Sequence, residues 1–171
     1  MANGLAKLDG LLEAASKGTS GIRKMNFIMA RAIPFNKPHG IGIKEVSNER
    51  VVAKLPYKRK NLNHLKGLHA AALMTVGEYC SGVWLMKRIG SNYRLIMKSI
   101  HVEYHKQGRT DAIATYELSE SDYKSKIKTK LDSDGVVFHT CLVKIQDANQ
   151  ELLAEAKVEW QIKDWAKVRK S

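Results

Sequence analysis

Glu78 is the one charged side chain in the twenty residues from Gly67 to Met86, GLHAAALMTVGEYCSGVWLM. A lone carboxylate in an apolar run is costly to keep ionised, so its pKa rises toward the range of a general base. His69 lies nine positions before Glu78, and Asn63 a further six before that. An imidazole and an amide there can orient a carbonyl or a water. If the run is a helix, the open backbone N–H groups at its start, around His69 to Ala71, form an oxyanion hole. Just upstream, Lys58, Arg59 and Lys60 make the densest basic cluster of the chain. Flexible cations at a pocket mouth would hold phosphates.

Plainer roles exist for each of these residues. Glu78 would serve as a structural carboxylate if hydrogen-bonded, His69 as a helix cap, Asn63 as a turn residue, and Lys58 to Lys60 as a solvated loop. His64 adjoins Asn63 as a weaker candidate. His101, Glu103 and His105 alternate along one stretch and invite a zinc reading. A polar strand face is more often solvated surface, and neither metal nor cofactor is expected. Lys124, Lys126, Lys128 and Lys130 form a stripe only if their segment is a strand, and read as solvated charge in either case.

The elements that must position these residues follow from periodicity. Leu5, Leu8, Leu11, Leu12 and Ala15 recur at helical spacing, Gly18 to Gly21 breaks the run, and a second helix extends from Ile22 to Ile33. Ile41–Val46 and Arg50–Leu55 flank a turn as a hairpin. The apolar run follows as a helix expected to be buried around its whole circumference. A strand from Arg94 to Lys106 is predicted to place Ile96, Ile100, Val102 and Tyr104 on one face. Thr110 to Leu118 alternates as a strand. A short helix starts at Ser119 with Tyr123, Ile127 and Leu131 aligned, and Gly135 ends it. Val136–Gln146 and Glu151–Ile162 close the chain as paired strands.

Length and composition bound the answer. With 171 residues, 44% of them apolar and 27% charged, the chain suits one globular α+β domain. The expected organisation is an N-terminal helical extension over 1–40 and an antiparallel sheet wrapped on the long central helix over 41–171. The apolar run carries polar interruptions and three glycines, so no membrane span is expected. No signal peptide is recognised, and Cys80 and Cys141 read as reduced core thiols, both pointing to the cytoplasm. The net charge of +12 favours polyanions. The basic residues are nonetheless scattered, and no stacking motif, zinc spacing or helix-turn-helix argues for nucleic acid.

The stretch NHLKGLHAAALMTVGE, read as Asn63-x5-His69-Ala70-Ala71-x6-Glu78, resembles the signature of hotdog-fold thioesterases of the phenylacetate-pathway type. In that family an Asn precedes a His-Gly-Gly turn at the start of the central helix, and an Asp or Glu follows nine residues after the His. The likeness is nearest to relatives in which Glu replaces Asp, and it covers roughly Ile41 to Ile162. It implies a hotdog fold, an acyl-CoA thioesterase activity, and Glu78 as general base or direct nucleophile. Gly67, Ala70 and Ala71 would then lie against substrate, with Asn63 and His69 as its orienting groups.

Nine helical positions separate His69 from Glu78 by about 13 Å, so one helix does not bring both to one carbonyl carbon. Two antiparallel helices of a homodimer do, and the resemblance implies the same sharing; a homotetramer is the further possibility. The chain departs from the family in holding Ala70 and Ala71 where glycines are usual. Two methyl groups narrow a close approach to backbone. That departure sustains an alternative, a non-catalytic acyl- or acyl-CoA-binding hotdog protein.

Overall fold

A computed structural model of the chain describes residues 2–167. Two helices come first, α1 (Ala2–Ser16) and α2 (Thr19–Ala32), followed by the hairpin β1 (Gly42–Val46) and β2 (Arg50–Leu55). A 3-10 turn (Arg59–Asn61) leads to the central helix α3 (Ala70–Ile89), then β3 (Tyr93–Tyr104) and β4 (Ala112–Glu117). A helical segment runs through α4 (Glu120–Tyr123), a π-turn (Lys124–Lys128) and α5 (Thr129–Asp134) into β5 (Val136–Gln146) and β6 (Leu152–Asp164). Of Leu5 only the backbone is described, and 168–171 lie outside the described residues.

The six strands form one antiparallel sheet in the order β1-β2-β4-β5-β6-β3. Alternation of side chains makes its inner face: Ala112, Ala114 and Tyr116 on β4, Cys141, Val143 and Ile145 on β5, and Ala156, Val158 and Ile162 on β6 are all buried. That face curls around α3. Small residues set the approach, since a methyl at Gly77 would stand 3.0 Å from the Ala156 Cβ and one at Gly82 would stand 3.3 Å from the Trp160 ring. Leu11, Leu12, Ala15, Met25 and Met29 from the first two helices join the same buried cluster.

Local signals carried through well in the helices. Ser119 caps α4 by accepting from the Asp122 N–H at 3.1 Å, and Tyr123, Ile127 and Leu131 are buried together. Gly135 ends the segment at φ 70°, a conformation that glycine adopts without strain. Because this segment is helical, its four lysines do not align. Lys124, Lys126 and Lys128 pair instead with acids four residues away.

Two expectations are corrected. The bulge between Met97 and Ser99 shifts the pairing of β3 on β6, so Leu95 opposes Ile162 while Ile100, Val102 and Tyr104 oppose Val158, Ala156 and Ala154. Ile96 pairs with Gln161 and stands on the other face; a one-residue slip inverts the alternation. The central helix is also not buried all round. Ala71, Met74, Thr75 and Glu78, at the i, i+3, i+4, i+7 spacing of one stripe, are exposed or half-buried. The single sheet wraps α3 from one side only.

Candidate active site

The start of α3 is built around Asn61, a buried side chain that sequence reasoning passed over. Its Nδ2 donates to the backbone oxygens of His39 at 2.9 Å and Pro56 at 2.8 Å. With the amide so oriented, Oδ1 faces His39 Nδ1 at 2.9 Å, which must therefore carry the proton. The Asn61 backbone oxygen accepts from the His69 N–H at 2.8 Å, tying this hub to the helix cap. His39 and Asn61 lie 22 residues apart, so no local spacing could have signalled the pair.

His69 is the N-cap of α3. Its Nδ1 accepts from the Ala71 N–H at 3.1 Å, which places the proton of the neutral ring on Nε2. The Ala72 and Leu73 N–H groups bond to the His69 backbone oxygen. Of the three N–H groups expected to be open, two are taken, and that of Ala70 makes no hydrogen bond among the described residues. The Ala70 oxygen accepts from the Tyr104 hydroxyl at 3.0 Å, fixing the helix start against the last residue of β3.

Asn63 has a local task. Its Oδ1 accepts from the Leu65 N–H at 2.9 Å and the Gly67 N–H at 3.1 Å, closing the loop that delivers His69. Gly67 is buried, and a methyl there would meet the Gln107 side chain at 2.3 Å. His64 is exposed on the same loop.

A groove of about 260 Å³ opens in front of the cap, lined by Phe35, His39, Lys60, His69, Ala71 and Thr75 among others. Lys60 also borders a shallower depression of about 560 Å³ with Lys37, Pro38, Lys58 and Arg59. The structure thus joins the basic cluster to the helix start and adds Lys37 from a separate loop.

Glu78 lies farther along the open stripe, about 13 Å by helical rise from His69. Two neighbouring hydroxyls on the helix are engaged, whereas the buried Trp84 Nε1 is left without a hydrogen-bond partner among the described residues. Thr75 donates to the Ala71 oxygen at 2.8 Å, and Ser81 donates to the Glu78 backbone oxygen at 2.9 Å while accepting from Trp160 Nε1 at 3.0 Å. The Glu78 carboxylate has no hydrogen bond or ion pair among the described residues. Burial raises its pKa above the ordinary glutamate range.

The other candidates lie elsewhere. Glu103 on β3, His105 just past its end and Glu155 on β6 bring ligand atoms within 4.8 Å of one another, and His101 is not among them. Lys157 already pairs with Glu103 at 3.2 Å, as expected of a surface charge network. Cys80 and Cys141 are buried and unbridged, and burial pushes each thiol up to about 12. No described helix is long and apolar enough to cross a membrane.

This strand order, with one long helix held in the curl of the sheet, is the hotdog fold. Solved structures agree. The chain is similar to PA5026 of Pseudomonas aeruginosa, described as a probable thioesterase, at 18% identity and a TM-score of 0.75, over 81% of this chain and 93% of that one. It is similar to thioesterase HI1161 of Haemophilus influenzae at 11% identity and a TM-score of 0.69, over 91% and 99%. The thioesterase SAV0944 of Staphylococcus aureus matches at 15% identity and a TM-score of 0.62, over 76% and 98%. No curated protein matches. By sequence the chain belongs to the family described as a domain of unknown function, DUF4442, whose model matches residues 21–165.

Proposed function

We propose that this protein is a thioesterase that hydrolyses an acyl-CoA at a site shared between two subunits, with Glu78 as general base or nucleophile. One observation carries the reading: Glu78 is a desolvated carboxylate without a partner on the uncovered stripe of the central helix. An unpartnered acid partly withdrawn from water costs some stability, and a group kept in that state suits chemistry.

The uncovered surfaces support the pairing of subunits. β3 is the terminal strand of the sheet, and its twelve residues leave one edge unpaired. A second copy adding its own β3 there would lay the two α3 stripes against each other in opposite directions. Glu78 of one protomer then faces the helix start of the other. In the general-base form, Glu78 takes a proton from water as the water oxygen bonds to the thioester carbon. The oxyanion is received by the Ala70 N–H. Collapse expels the thiolate, which takes the proton from Glu78 and leaves as the free thiol. Asn63 and His69 hold the receiving loop and cap in place, and Gly67, Ala70 and Ala71 shape the approach. Lys58, Arg59 and Lys60 bind the coenzyme phosphates.

The catalytic unit in this proposal is the domain from residue 41 onward, with α1 and α2 as an extension. Two buried, unbridged cysteines fit a reducing compartment such as the cytoplasm. Turnover of a panel of acyl-CoA substrates by wild type and Glu78→Gln is the test, with sedimentation alongside. A stable, active monomer would sink the shared site.

A second reading rests on the occupied Ala71 N–H and the two alanine methyls. With the Ala70 N–H as the one open donor of the three, the site binds an acyl thioester without rapid turnover. Tight binding of acyl-CoA with turnover equal in wild type and Glu78→Gln would favour it.

A further inference from the structure

We propose that the outward face of α2 docks this protein on anionic lipid bilayers. The net charge is unevenly placed. Residues 14–77 hold twelve Lys and Arg against Glu45 and Glu49, so 12 − 2 = +10 of the total +12 falls there, and no acid occurs between Glu13 and Glu45. Lys17, Arg50 and Lys54 are neutralised in ion pairs. Arg23, Lys24, Arg31 and Lys37 on and after α2 make none among the described residues, nor do Lys58, Arg59 and Lys60.

The helix itself has two apolar faces, and the core uses one. Met25 and Met29 are buried, while Lys24, Phe27, Ile28 and Arg31 fall within about 100° on the opposite side. Phe27 is 60% exposed, Ile28 38%, and Phe35, in the turn after the helix, 65%. Arg31 stacks its guanidinium over the Phe27 ring at 3.5 Å. Beside this face a groove of about 700 Å³ runs between α1 and α2, floored by Leu11, Met29 and Met86 with Lys7 and Lys24 at its rim. Large apolar side chains interleaved with unpaired cations are the pattern of a helix lying in a membrane interface.

Charge and shape select this occupant over others. A second copy of the chain would set two cationic faces against each other. A nucleic acid would meet the cations and leave Phe27 and Ile28 in water. A bilayer with anionic headgroups satisfies both, the rings entering the acyl boundary and the cations the phosphate layer. Phe35 also lines the groove at the start of α3 beside Lys60. Docking therefore presents that groove to acyl chains held in the membrane, a consequence that rests on the thioesterase reading, whereas docking does not.

The experiment is flotation of the full chain with phosphatidylcholine vesicles, with and without phosphatidylserine. Wild type should float with the anionic vesicles and partition roughly tenfold less onto pure phosphatidylcholine or at raised salt. The double substitution Phe27→Ser, Ile28→Ser and, separately, Arg23→Gln, Lys24→Gln should each lower partitioning about tenfold. Both should leave turnover of a short soluble thioester unchanged. Glu78→Gln should float like wild type, so docking is judged apart from catalysis. Failure of wild type to float overturns the proposal. So does equal flotation of the Phe27→Ser, Ile28→Ser protein, which would assign the cations to polyanions in general. A loss of oligomers in that variant would overturn it too, by assigning the face to a second copy.

Discussion

Glu78 is half-buried and His139 buried, and their company differs completely. His139, on β5, meets the Tyr116 hydroxyl at 2.8 Å through Nε2, and that phenol packs edge-on against Trp84 at 5.0 Å. Burial holds the imidazole neutral, with its pKa lowered to about 4, and Lys126 and Lys130 push the same way. The Glu78 carboxylate has no partner, and burial pushes its pKa up. A desolvated polar group with its hydrogen bond made is part of the core. One without a partner is a burden that the fold tolerates. The contrast separates a structural position from the proposed chemical one.

The widest separation should come from Glu78→Gln. Hydrolysis should fall by about 10²–10⁴, the usual contribution of a positioned base. Thermal stability should hold or rise, because a carboxyl whose folded pKa is raised destabilises the fold once ionised, and glutamine is neutral. A circular dichroism melt beside the kinetics reads both quantities. For the wild type, the rate should drop as pH falls through the raised pKa of Glu78. An unfolded glutamine variant would place Glu78 with His139 as a structural group and collapse the comparison.

His139 should show itself in stability. Its folded pKa lies below that of the unfolded chain, so its contribution is complete above about pH 6.5 and is lost as pH falls toward 4. The loss should be on the order of 3 kcal/mol, read by urea titrations across that window. His139→Gln should flatten the dependence. A profile unchanged by the substitution would show that His139 is not held neutral.

Tyr116→Phe removes the hydroxyl and leaves His139 Nε2 unpaired. It should cost about 1–2 kcal/mol of stability and leave kcat alone. A selective loss of kcat would draw this buried pair into the mechanism. The smallest effect is expected at the pocket mouth. Replacing Lys58, Arg59 and Lys60 by Gln should raise KM several-fold for acyl-CoA and less for a short thioester lacking the nucleotide. Equal changes for both substrates would return the cluster to the role of a solvated loop.

Much of this was legible in the chain. The last strand, β6, alternates cleanly, and its Ala154, Ala156, Val158, Trp160 and Ile162 are all buried, since a half-buried strand writes its environment into every second residue. Ser119 and Gly135 marked their helix ends because caps are local chemistry. The bulge in β3 was hidden, because the extra residue is defined against β6 and leaves no local mark. Asn61 was hidden for a similar reason: its three partner atoms come from Pro56 and His39, and only the fold assembles them.

By itself the sequence determined the inventory: which segments are helix or strand, their order, and one carboxylate alone in an apolar run. Those are properties of neighbours along the chain, where periodicity and composition act. Only the tertiary structure decided which stripe of α3 stays open, which N–H at its start remains free, and which cations stand together. Each of these depends on segments distant in sequence, on how far one curled sheet can wrap a helix, and on which hydrogen bonds the loops have already taken.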